Sequence, residues 1–208
     1  MTPLVLAALL TSSMSQTAPL VGLWDSATTS RGGIGNTLEF RADGTFVEAT
    51  TVIVNAYYRV IGGRLVIGEQ PPGPEADPAK SVAIQLDGDV MRLTGPDGAV
   101  LRKDRLGQRG AGKPSIVGAW QYRHYTGKNA FERYTDKGSM LFRLPMTSSV
   151  GRYVLKGDRL VLSGPNQADV TMKVVLDGDK LTLSTNGQTS TYRRDSAGPW
   201  YDREHIVK

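Results

Sequence analysis

Two histidines, His124 and His205, and no cysteine leave the 208-residue chain with few of the side chains on which nucleophilic, redox or metal chemistry usually rests. No serine stands in a Gly-x-Ser-x-Gly elbow, so an acyl-transfer nucleophile has no strand-to-helix turn to expose it. A Ser-His-Asp arrangement would need His124, inside WQYRHY, or His205, in the C-terminal tail. Both read better as surface or strand histidines. The paired carboxylates Asp87/Asp89 and Asp177/Asp179 recur in two copies of LDGD. Calcium would need more oxygen ligands at set spacing, and the D-x-D-x-D-G pattern is absent, whereas a tight hairpin explains both copies. We expect no enzyme, no cofactor and no metal.

Two further patterns invite a binding reading. Arg31-Gly32-Gly33-Ile34-Gly35-Asn36 is rich in glycine, but it lies between two strand-like runs, and a phosphate cradle needs a helix N-terminus after it. From Tyr122 to Lys137, basic and aromatic residues interleave. Arg123, Lys128, Arg133 and Lys137 are the candidates for contact with an anionic surface or polymer. Nucleic acid is not the expected partner, because the N-terminus reads as an export signal. Residues 1–19 carry no charge, and PLVLAALL (Pro3–Leu10) is followed by small polar residues, with mature protein expected to begin near Gln16 or Pro19. That apolar run is far too short to cross a bilayer as a helix, which takes about 20 residues. The expected location is the periplasm or the exterior.

The elements that must position any site are set by an internal duplication. LVGLWD (Leu20–Asp25) returns as IVGAWQ (Ile116–Gln121), and EFRADGTFV (Glu39–Val47) as RYTDKGSML (Arg133–Leu141). YRVIGGRLVI (Tyr58–Ile67) returns as YVLKGDRLVL (Tyr153–Leu162), AIQLDGDVMRL (Ala83–Leu93) as KVVLDGDKLTL (Lys173–Leu183), and LRKD (Leu101–Asp104) as YRRD (Tyr192–Asp195). The order is kept and the offsets stay between 90 and 96, so each copy is domain-sized. The organisation is a signal peptide at 1–19, a repeat at 20–105, a Gly/Pro/Ser-rich linker at 106–115, a repeat at 116–195 and a tail at 196–208. Charge is unequal: residues 20–105 have a net charge of −2 and residues 106–208 of +7.

Within each copy, period-2 alternation dominates. Asp43-Gly44, Gly62-Gly63, Asp87-Gly88, Asp97-Gly98, Gly157-Asp158, Asp177-Gly178 and Asn186-Gly187 supply the positive φ that hairpins demand. The pattern predicts an all-β protein of two tandem antiparallel up-and-down barrels of roughly eight strands each. It places Leu38, Phe40, Leu65, Ile67, Ile84, Leu86 and Leu93 inside the first, and Leu160, Leu162, Val174, Leu176, Leu181 and Leu183 inside the second. These large aliphatics imply filled interiors, each repeat folding alone, with binding at a barrel mouth, in the cleft between copies or on the surface.

Gly22-x-Trp24 with Arg102, and Gly118-x-Trp120 with Arg193, resemble the opening and closing strands of lipocalins and other calycins. The blocks around them are similar to small bacterial lipocalin-like domains of exported proteins. The resemblance implies that each Trp plugs one barrel end under the Arg of the same copy. The duplication, which pairs small filled barrels, favours a binding or interaction protein contacting an envelope protein or an anionic polymer; the alternative, which the resemblance implies, is a carrier of a small apolar or amphipathic ligand inside a barrel.

Overall fold

The computed structural model describes residues 19–75, 77–107, 115–164 and 168–195. The signal segment up to residue 18, most of the expected linker and the whole tail lie outside them. Strand is the dominant structure of the described residues. In the first repeat the strands are β1 (Gly22–Ser26), β2 (Ile34–Phe40), β3 (Thr45–Ile61), β4 (Arg64–Gly68), β5 (Ser81–Asp87), β6 (Val90–Thr94) and β7 (Val100–Leu106). In the second they are β8 (Gly118–Arg123), β9 (Asn129–Tyr134), β10 (Ser139–Lys156), β11 (Arg159–Ser163), β12 (Val170–Asp177), β13 (Lys180–Thr185) and β14 (Gln188–Asp195). One 3-10 turn, Pro78–Lys80, precedes β5. No helix among the described residues is long and apolar enough to cross a membrane.

All 14 strands form one antiparallel sheet that closes into a ring, β1 pairing with β14, and a further pairing of β3 with β10 runs across it. The cross-pair divides the ring into two circuits that share β3 and β10. Circuit one is β1, β2, β3 and β10–β14; circuit two is β3–β10. The shared strands have 17 and 18 residues, about three times the usual strand length. The first half of β3 pairs with β2 and its end with β4, while β10 pairs first with β9 and then with β11. Each long strand therefore leaves one circuit and enters the other. Thr50-Thr51-Val52-Ile53-Val54 is β-branched throughout, so nothing in mid-β3 ends the strand. In β10 the register shifts between Pro145 and Thr147; proline has no N–H for a ladder, and a bulge accommodates it.

The expectation of two self-contained barrels is corrected by these pairings. Each repeat contributes seven strands, not eight, and neither closes on itself, because β1 needs β14 and β8 needs β7. Expected linker residue Leu106 ends β7, paired with Ala119, and Pro19 and Leu20 of the expected leader boundary belong to the fold. The cores follow the circuits. One contains Leu20, Trp24, Leu38, Phe40 and Phe46 with Tyr153, Leu160, Leu181, Leu183 and Tyr192. The other contains Leu65, Met91 and Leu93 with Ile116, Trp120, Tyr134 and Met140. A third, smaller cluster at the waist joins Leu23 and Val47 to Phe131. The alternation is otherwise as expected, except that Ile67 is 41% exposed: β4 pairs with β5 only as far as Val66, so Ile67 stands past its neighbour's edge.

Candidate functional site

The two Trp plugs are built alike and exchanged between repeats. The Arg194 guanidinium lies 4.0 Å from the centre of the Trp24 ring, and that of Arg105 lies 4.1 Å from the Trp120 ring. Both indoles are fully buried, and their N–H groups donate to Leu20 O (2.8 Å) and Ile116 O (2.7 Å). Arg194 donates to Val21 O and Pro19 O, and Arg105 to Val117 O and Ser115 O. The expected partners Arg102 and Arg193 are thereby corrected. Trp24 is cross-strand from Arg194 and Trp120 from Arg105, so residues one and three places away point to the opposite face. Arg102 is exposed and pairs with Asp104 instead. Gly22 has φ 134° and Gly118 φ 130°, and a Cβ on Gly22 would come within 2.9 Å of Arg194 Nη1. The Gly-x-Trp spacing thus lets the guanidinium reach the ring. The second Asp of each LDGD turn grips the same arginine, Asp89 to Arg105 (3.4 Å) and Asp179 to Arg194 (3.6 Å). That gives the repeated carboxylates a structural role.

Circuit two contains a polar cluster that circuit one lacks. Lys103 on β7 and Glu132 on β9, 2% and 5% exposed, form a buried ion pair across the repeats. The Tyr134 hydroxyl donates to Glu132 Oε2 at 2.5 Å, and the Lys103 ammonium lies 4.7 Å from the centre of the Tyr122 ring. The Tyr58 ring packs edge-on against Tyr134, 4.9 Å away, and its hydroxyl donates to Thr135 O at 2.6 Å. Desolvation lowers the Lys103 pKa, and the Glu132 charge opposes that shift. Desolvation raises the phenols of Tyr122 and Tyr134, and the charge and hydrogen bond of Glu132 raise them further. The matching positions in circuit one are Leu38, Tyr192, Phe40 and Ser26. Tyr153 there mirrors Tyr58, edge-on to Phe40 at 4.9 Å and bonded to Arg41 O at 2.8 Å.

The third feature lies at the waist, where the repeats cross. Arg143 on β10, 1% exposed, is ion-paired with Asp25 of the first repeat and with Asp195 of the second, the latter at 3.0 Å. Arg133 binds the other oxygen of Asp195 at 2.6 Å, and Thr37 donates to Asp25 at 3.2 Å. Over this network opens a cleft of about 350 Å³, in which Asp25 and Asp195 face Arg133, Arg143, Arg193 and Arg194. A second hollow of about 250 Å³, lined by Tyr57, Thr135, Ser139 and Met140, shares Asn55, Arg133 and Leu141 with the first, so the two adjoin. The first hollow alone falls in the range of small-molecule sites, about 300–1,000 Å³, and the second lies just below it.

Of the four residues expected to contact an anionic surface, only Arg133 lines this groove. Arg123 and Lys128 are exposed about the turn before β9, and exposed Lys137 lies beyond its other end, on the order of 20 Å of strand away. The structure does not bring the four together. His124 sits in the same turn, bonded to Thr126 Oγ1 at 3.0 Å and stacked on Tyr125; His205 lies outside the described residues. No group of metal-binding side chains occurs among the described residues. The waist residues Asp25, Arg143 and Asp195 escaped sequence reasoning. They are scattered along the chain, and only strand exchange makes them neighbours.

No family model and no curated protein matches the chain. Among solved structures it is similar to the beta subunit of DNA polymerase III from Thermotoga maritima at 17% identity and a TM-score of 0.18. The alignment covers 97% of this chain and 62% of that one, so the chain spans less than two thirds of that subunit's length. At that score the likeness carries no argument about fold or function.

Proposed function

We propose that this chain is an exported, non-enzymatic binding protein made of two strand-exchanged, lipocalin-like barrels, and that it holds its ligand in the waist groove between them. The observation that carries the reading is the cleft of about 350 Å³ in which side chains from both repeats converge on a buried Arg143. Export rests on the uncharged apolar leader PLVLAALL. A non-enzymatic role is supported by the satisfaction of the chemistry-bearing groups by one another: Lys103 neutralises Glu132, and Tyr134 donates to it. The inward positions carry Trp, Phe, Tyr and Leu side chains packed on one another, which favours the groove over an interior carrier site.

The test is native mass spectrometry of the protein from its host, wild type beside Asn55→Trp. Asn55 is exposed and lines both hollows, so an indole there fills the groove without entering a core. A small molecule retained by the wild type and absent from the variant supports the reading; equal retention, or none in either, overturns it.

A further inference from the structure

We propose that the waist groove selects an amphipathic anion, its carboxylate or phosphate headgroup held at Arg133 and Arg193 and its apolar body laid along Leu141 and Tyr57. This rests on the groove being the binding site, and adds what it recognises. Four arginines line the larger hollow against two aspartates, so the lining is cationic overall. Asp25 and Asp195 are turned onto Arg143 and Arg133, and their negative charge is spent within the protein. Arg193 is exposed on the rim, one residue from Arg194, whose guanidinium is committed to Trp24. Arg133 is partly exposed and stands where the two hollows meet. A planar guanidinium donates in pairs to a carboxylate or phosphate.

The adjoining hollow has a different lining. Leu141 floors it and Tyr57 is 41% exposed at its edge, while Ala56 and Met140, on the other face of the same strands, belong to the core of circuit two. A bare inorganic ion would leave this hollow unfilled, and an uncharged chain would leave the guanidinium end unmatched. A headgroup with an apolar body about one drug-fragment long matches both ends.

The test is calorimetric titration of the full chain with four probes: decanoate, decyl phosphate, decanol and inorganic phosphate. Decanoate or decyl phosphate should bind at one site per chain, and whichever binds tighter identifies the headgroup. Decanol and inorganic phosphate should bind at least about tenfold more weakly, the size of one lost charge-assisted contact. Arg193→Gln should weaken the anions by about the same factor and leave decanol unchanged. Asn55→Trp should abolish binding of all four, and Lys128→Gln, outside the groove, should change nothing. Thermal melts of each variant check that it folds. If decanol binds as tightly as decanoate and Asn55→Trp still blocks it, the groove is a site but the charge selection is wrong. If inorganic phosphate matches decyl phosphate, the apolar body is wrong. If no probe binds, or binding ignores Asn55→Trp, this inference fails together with the site.

Discussion

Replacing Lys103, Glu132 and Tyr134 by apolar residues should cost far less than removing Glu132 alone. Glu132 is cross-strand from Trp120, as Leu38 is from Trp24, so circuit one already displays the apolar solution to the same position. Glu132→Leu strands a Lys103 ammonium that is 2% exposed and removes the acceptor of the Tyr134 hydroxyl. Breaking a buried pair in this way costs about 3–5 kcal/mol. Lys103→Met should cost less, because Glu132 keeps the Tyr134 hydroxyl as donor. In the double variant the charges vanish together, and what remains is two phenols without their acceptor, Tyr134 and the less buried Tyr122, about 1–3 kcal/mol for each that stays buried. Adding Tyr134→Phe, the residue at the matching position Phe40, removes the more deeply buried one, and the triple variant should recover most of the loss of Glu132→Leu. Urea unfolding of the full chain at pH 7 provides the four stabilities, and the double-mutant cycle isolates the coupling. A double variant whose loss equals the sum of the two single losses would refute the reasoning, since it would mean that the two charges do not stabilise one another.

Trp24→Ala and Trp120→Ala should each lose about 3–5 kcal/mol, and because the circuits share β3 and β10, circular dichroism should show both melting together. Gly22→Ala and Gly118→Ala should each cost at least about 1–3 kcal/mol in the same melts, from positive φ alone, and more where the methyl displaces the guanidinium. Fragments 19–107 and 115–195 should each lack a cooperative transition, yet form a one-to-one complex with native circular dichroism when refolded together; two fragments that fold separately would contradict the strand exchange. Spectrophotometric titration should leave the phenols of Tyr58, Tyr122, Tyr134 and Tyr192 neutral above pH 10, since burial raises all four. Their contribution is intact below the unfolded phenol pKa of about 10 and is lost as pH rises beyond it, so urea midpoints should fall above that pH.

What could be read from the residues was whatever depends on neighbours in sequence. Alternation gave the strand faces, Asp-Gly and Gly-Gly gave the turns, and the duplicated blocks gave the pseudo-symmetry. Strand partners were another matter. A meander within one repeat and a meander that crosses into the other share every hairpin, and they differ in the pairing of β3 with β10 and in the partners of the end strands β1, β7, β8 and β14. The sign of the crossing was the absence of a turn from Phe46 to Ile61, a run too long for one ordinary strand. The arginine over each Trp was placed in the wrong repeat, and within each closing strand the arginine named was one or three residues from the one that is used, a register error that moves a side chain to the opposite face. The groove was foreseen only as a cleft between copies, because Asp25 and Arg143 meet through β3–β10 pairing and through no motif.

The exchange also fixes how the two repeats meet at the waist. A barrel closed on its own repeat meets its neighbour only through outer surfaces, and domain contacts of that sort are loose by default. Here β3 and β10 run unbroken through both circuits, so the outward faces of β1 and β9 are fixed about one shared ribbon. Asp25 from the first repeat and Arg143 and Asp195 from the second are then held on rigid strands rather than on loops, the arrangement that best preserves a binding geometry. The matching position on the other side of the pseudo-symmetry has Ala49 where Arg143 stands and Gln121 where Asp25 stands. Glu39, which matches Arg133, is instead buried and paired with Arg41 at 3.1 Å, so the two sides of the waist carry different charged networks on the same strand framework.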